Sequence, residues 1–110
     1  MIDVKEKRLT LCPAGELDHH TAKAIREEAD AAIRRTRPVV IVIDFSAVSF
    51  MDSSGIGLIM GRYRLARSLG SNLRVQGATP RLETIIRLAG MDKLPIWDER
   101  ERMNENETCQ

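Results

Sequence analysis

Aromatic residues are scarce in this chain: one tryptophan, one tyrosine and two phenylalanines in 110 residues. Charge of one sign is missing too, because seventeen Lys and Arg against sixteen Asp and Glu leave a formal net charge of +1. A chain so balanced has no field with which to hold nucleic acid or an acidic membrane. Arg62, Arg64 and Arg67 therefore read as the solvated face of a helix. Cysteine is limited to Cys12 and Cys109, which offer neither a disulfide framework nor the spacing of metal ligands, and this points to a reducing compartment. His19 and His20 are adjacent, so on a helix they diverge by about 100° and cannot share one metal ion. No metal and no cofactor are expected. The longest apolar run, Val39 to Ile43, is the length of a strand and far short of the ~20 residues that span a bilayer. With no secretory pattern ahead of the first strand, the expected location is cytoplasmic, with no membrane partner.

Nucleotide chemistry is also poorly provided for. Gly55, Gly57 and Gly61 are spaced G-x-G-x-x-x-G, one residue too long for a dinucleotide fingerprint, and no lysine follows as a phosphate loop requires. No cluster of metal-binding carboxylates and no nucleophile–base pair stands out, so the chain is not expected to be an enzyme.

What is present has the order of a small α/β domain. Ile2 and Val4, then Leu9 and Leu11, alternate with polar residues as two short strands, the second interrupted by Pro13. Gly15 to Asp18 turns the chain into a helix capped by Asp18, with Ala22, Ile25, Ala29, Ala32 and Ile33 on its inner face. Val39 to Ile43 is apolar without alternation, the mark of a central strand covered on both sides. A second helix is expected from Ser53 to Leu69, closed by Gly70, with Gly57 and Gly61 allowing close approach of the sheet. Leu73 to Gln76 forms a further strand. Thr79-Pro80 then starts a third helix, with Leu82, Ile85, Ile86 and Ala89 inward and Gly90 at its end. Leu94 to Trp97 is a last extended piece. One domain over 1–97 and a polar tail over 98–110 follow, with a mixed sheet of four to five strands and three to four helices. One core accounts for the apolar residues, so the free chain is expected to be monomeric.

The run from Val48 to Gly57, Val-Ser-Phe-Met-Asp-Ser-Ser-Gly-Ile-Gly, places Asp52, Ser53 and Ser54 where a loop meets a helix N-terminus. Asp and Ser are common N-caps, and capping is the plain reading of all three. A helix N-terminus also exposes unpaired N–H groups and partial positive charge. A phosphate on Ser53 or Ser54 would add close to two negative charges there without breaking the helix.

Two runs, Gly15-Glu16-Leu17-Asp18-His19-His20-Thr21-Ala22 and Phe50-Met51-Asp52-Ser53-Ser54-Gly55-Ile56-Gly57, resemble those of STAS domains. More narrowly they resemble the anti-sigma-factor antagonists of sporulation, and Gly61-Arg62-Tyr63 continues the likeness. The resemblance implies a STAS-like fold, Ser53 as the phosphorylated residue, and a partner surface including Asp18, His19, His20, Thr21, Asp52, Ser54 and Gly55. It further implies an anti-sigma factor serine kinase that the unmodified form binds, freeing a sigma factor, and a serine phosphatase that restores that form. The alternatives are the same switch in a general stress sigma circuit and, further off, a nucleotide-binding protein.

Overall fold

The computed structural model describes residues 2–5 and 7–97; the tail expected over 98–110 lies outside them. In chain order the elements are β1 (Ile2–Lys5), β2 (Arg8–Leu11), β3 (Gly15–Leu17), α1 (His19–Thr36), β4 (Val40–Asp44), β5 (Val48–Met51), α2 (Ser53–Leu69), β6 (Asn72–Gln76) and α3 (Pro80–Ile86), which runs on into a wider turn over Arg87–Met91. A four-stranded mixed sheet has the order β1-β2-β4-β6: β1 is antiparallel to β2, while β2, β4 and β6 are parallel. β3 and β5 form a separate parallel pair. This is the α/β class that the order of elements predicted.

The apolar pattern explains the sheet. Ile41, Val42 and Ile43 are wholly buried, as a centrally placed strand without alternation requires. Leu9 and Leu11 stand opposite Ile41 and Ile43, and Leu73 and Val75 flank the other side in register. Val39 falls before the strand and is exposed. α1 buries Ala22, Ala29, Ala32 and Ile33 and packs on α2, which in turn packs on β6. Arg34 and Arg35 occupy the last turn of α1, where cations suit the helix dipole, and Arg37 closes the helix in the left-handed conformation (φ 49°). The Thr79 hydroxyl accepts from the Leu82 N–H at 3.2 Å and caps α3, with Pro80 at its first position.

Several sequence expectations give way to packing. Gly15–Leu17 is a strand rather than a turn into α1, because its backbone pairs with β5. Cys12 lies one residue past β2 and is disulfide-bonded, contrary to the reading of the cysteines as giving no disulfide. Ile85 and Ala89 are not inward: α3 is short, and only Leu82 and Ile86 reach the core from it. Leu88, on the wider turn, is almost wholly exposed. Gly57 and Gly61 do not face a close neighbour, since a Cβ on either would meet nothing within 4 Å. The tight glycine of α2 is Gly55, where a Cβ would run into the Met51 side chain and lie 3.2 Å from Leu17 Cδ2. Leu94 to Trp97 makes no strand, only a bridge from Val75 to Trp97, although Ile96 is fully buried.

The largest departure is Arg62. It was expected in a solvated row, yet its side chain is 5% exposed between α1 and α2. Its Nε lies 2.8 Å from Asp30 Oδ1, its Nη2 donates to Asp30 Oδ2 at 3.3 Å, and its Nη1 donates to the Leu58 carbonyl. Burial pulls the guanidinium pKa below its ordinary value; Asp30 opposes that, and Arg26 and Arg34 nearby add to it. A buried cation is tolerated only with such a partner.

Candidate functional site: two paired helix starts

The site is built on the β3–β5 pair. Leu17 stands opposite Met51 at the end of a parallel ladder, so both strands finish at the same level. Parallel strands send their continuing chains the same way, and each of these continues straight into a helix. Asp18 caps α1 and Asp52 caps α2, and the Asp52 N–H donates to the Leu17 carbonyl at 3.3 Å across the junction. Two sequence motifs separated by some thirty residues thereby become one surface.

The first turn is closed by its own side chains. Asp18 Oδ1 accepts from the N–H groups of His20 and Thr21 at 3.0 Å each. Thr21 Oγ1 accepts from the Asp18 N–H at 2.9 Å and donates to the Glu16 carbonyl at 3.0 Å. This reciprocal arrangement is a capping box with threonine in the usual place of glutamate. The Thr21 N–H, and then the other donors around it, hold the Asp18 carboxyl below the usual aspartate range. His19 and His20 are exposed, their rings edge to face with centroids 5.7 Å apart.

The second turn leaves its key hydroxyl uncommitted. Asp52 accepts from the Ser54 N–H at 2.8 Å, and the Asp52 carbonyl accepts from the Gly55 N–H at 3.0 Å. Ser53, the first residue of α2, is exposed, and Ser54 is half-buried. Gly55 is buried against Met51 and Leu17, so it shapes the turn and presents no side chain. A phosphoryl group on Ser53 would meet a helix N-terminus, an environment favourable to an anion.

Two features of this face were not read from the sequence. Phe50, opposite Glu16 in the ladder, is 53% exposed although an aromatic in a strand suggests core. Lys23 and Arg26 of α1 line a groove with His19, Ser54, Gly57 and Leu58. The helical spacing of His19, Lys23 and Arg26 carried that signal, but only the packing of α1 on α2 reveals what they face. Among the described residues no group of three or more His, Cys, Asp or Glu is placed to hold a metal ion. No helix among them is long and apolar enough to cross a membrane.

A four-stranded mixed sheet, a parallel ribbon and two capped helix starts side by side define a STAS domain. The STAS family model matches residues 1–105, and the chain belongs to that family. Its relatives point more narrowly. The anti-sigma F factor antagonist of Paenibacillus polymyxa is 40% identical over 86 residues, covering 77% of this chain and 74% of that protein. The anti-sigma-B factor antagonist of Listeria monocytogenes is 30% identical over 109 residues, 96% of this chain and 95% of its own. The anti-sigma factor antagonist SpoIIAA in its unphosphorylated form superposes with a TM-score of 0.78 at 28% identity, covering 92% of this chain and 90% of that one. The phosphorylated form of SpoIIAA from Bacillus gives 0.72 at 28% identity, with 92% and 93% covered.

Proposed function

We propose that this chain is an anti-sigma factor antagonist switched by phosphorylation of Ser53. In its unmodified form it binds an anti-sigma factor serine kinase and so frees the sigma factor; the kinase phosphorylates Ser53 and ends the association; a serine phosphatase resets the cycle. The observation that carries this is the position of Ser53, exposed at the start of an intact α2 and beside the Asp18 turn. SpoIIAA, similar over nine-tenths of the chain, has been solved in a phosphorylated form, which supports the reading.

Phosphoryl transfer is the partner's chemistry, and this chain supplies the hydroxyl. Asp52 already accepts from the Ser54 N–H, so capping is its first role. The phosphate has no need to refold the loop, because the helix N-terminus welcomes an anion. At an interface, however, it must shed water and face Asp52, Asp18 or a partner carboxylate. Like charges ~4 Å apart at an effective dielectric near 20 repel by about 4 kcal/mol. That is about a thousandfold in affinity. Asp18, His19, His20, Thr21, Asp52 and Ser54 supply the surrounding surface, with Thr21 and Gly55 acting through the shape of the two turns.

Calorimetric titration of the anti-sigma factor with the chain before and after phosphorylation tests this. The expected result is tight binding of the unmodified form and loss of about three orders of magnitude on modification. Equal affinities would contradict it. The likeness to the Listeria antagonist supports the same switch working on a general stress sigma factor, and the class of anti-sigma factor bound decides between the circuits.

A further inference from the structure

We propose that the groove between α1 and α2 is the receptor for acidic side chains of the anti-sigma factor, and that the Ser53 phosphate breaks the complex by competing for the same positive charge. This rests on the function proposed above and assigns its attraction to particular residues. His19, Lys23 and Arg26 fall at i, i+4 and i+7, one face of α1. With Ala22 from α1 and Ser54, Gly57 and Leu58 from α2 they line a groove of about 230 Å³. No carboxylate lines it. Glu27 and Glu28 are exposed on the same helix but are not among its walls. Asp30, one turn further along α1, is engaged by Arg62. Neither the Lys23 nor the Arg26 side chain has a hydrogen bond or an ion pair among the described residues, so two cations stand open at one groove.

The groove suits protein carboxylates better than a free nucleotide. Its volume is below the roughly 300–1,000 Å³ of ordinary small-molecule sites. It is open along the floor, since a Cβ on Gly57 would meet nothing within 4 Å. Ser54 is one of its walls, and Ser53 precedes it in the chain at the first position of α2. A doubly charged phosphate arriving there would weaken the pull on any anion already seated. An anionic occupant follows from the lining itself, which holds Lys23 and Arg26 and no carboxylate.

The test is titration of the full chain against the purified anti-sigma factor from its own genome at about 0.05 and 0.5 M salt, where screening separates electrostatic from other binding. Thermal melting confirms that each variant is folded. The double variant Lys23→Glu with Arg26→Glu is expected to bind at least about tenfold more weakly at low salt and to lose most of the salt dependence. Gly57→Gln, which fills the groove without changing charge, is expected to weaken binding while keeping the salt dependence. Arg81→Glu with Lys93→Glu makes the same change in net charge at exposed residues outside the groove's walls and is expected to bind as the wild type. Equal affinity and salt dependence for the Lys23/Arg26 variant, with binding still lost on Ser53 phosphorylation, would overturn this inference and leave the proposed function standing. No binding of the wild type to an anti-sigma factor that still binds its sigma factor would overturn both.

Discussion

Leu17 pairs with Met51 at the last rung of a two-stranded parallel ladder, and the next residue on each strand, Asp18 and Asp52, caps a helix. The switch surface depends on that rung, because it sets the level at which α1 and α2 begin. Met51 is 5% exposed and also packs under Gly55. Met51→Ala is therefore expected to cost about 2–4 kcal/mol as a core truncation. It is also expected to slow phosphorylation of Ser53, whereas Leu88→Ala, on a side chain 83% exposed, should change neither. Urea unfolding and a kinase assay on both variants check this.

Gly55 and Gly57 lie in the same helix but should respond oppositely to alanine. At Gly57 the added methyl meets open space, so Ala gains helix propensity and stabilises by about 0.5–1 kcal/mol. At Gly55 it collides with Met51, and overpacking of about 1–3 kcal/mol outweighs the same gain. The denaturation midpoints should move in opposite directions.

Asp30 and Arg62 form the ion pair between α1 and α2, with Asp30 22% and Arg62 5% exposed. Removing one partner strands a buried charge. Asp30→Leu is expected to cost about 3 kcal/mol, while the double variant Asp30→Leu with Arg62→Met recovers most of the loss. A double-mutant cycle by chemical denaturation measures the coupling; additive losses would contradict the pairing.

Acid should weaken the Asp18 cap in a defined direction. Donation from the Thr21 N–H lowers its pKa in the fold below the ordinary 3.8, so the folded state favours the carboxylate. A depressed pKa contributes stability that is complete above the unfolded value and is lost as pH falls through the folded one. The advantage of wild type over Asp18→Asn should be constant from neutral pH to about 4 and shrink below it. Urea midpoints for both proteins between pH 7 and 2.5 measure it.

Asp52 distinguishes capping from proton transfer. Asp52→Asn keeps an acceptor for the Ser54 N–H, and Asp52→Ala removes it at a cost of about 1 kcal/mol. If the residue caps, the asparagine variant is phosphorylated at nearly the wild-type rate. A loss of 10²-fold or more with the fold intact would instead make Asp52 a general base.

The helices and the central strands could be read from the chain because each carries a local signature. Asp18, Asp52 and Thr79 cap where they were expected to, and Val40–Asp44 lies inside the sheet as its unbroken apolar run requires. β3 and β5 were not legible. Three and four residues long, they have too few positions for a period and exist because each supplies the other's hydrogen bonds. Arg62 was misread for a related reason: an arginine on a helix is usually solvated, and only the long-range meeting with Asp30 makes burial tolerable. At the site, the serines and caps were visible as a motif. The exposed Phe50 and the cationic groove were not, since exposure and shared walls belong to the packed molecule.

The most direct test is intact-mass spectrometry of the full chain after incubation with the anti-sigma factor kinase and ATP, on wild type, Ser53→Ala and Ser54→Ala. One added phosphate is expected on wild type and on Ser54→Ala, and none on Ser53→Ala. A phosphate that persists in Ser53→Ala and disappears in Ser54→Ala, or no phosphate on wild type with a kinase shown to be active, would contradict it.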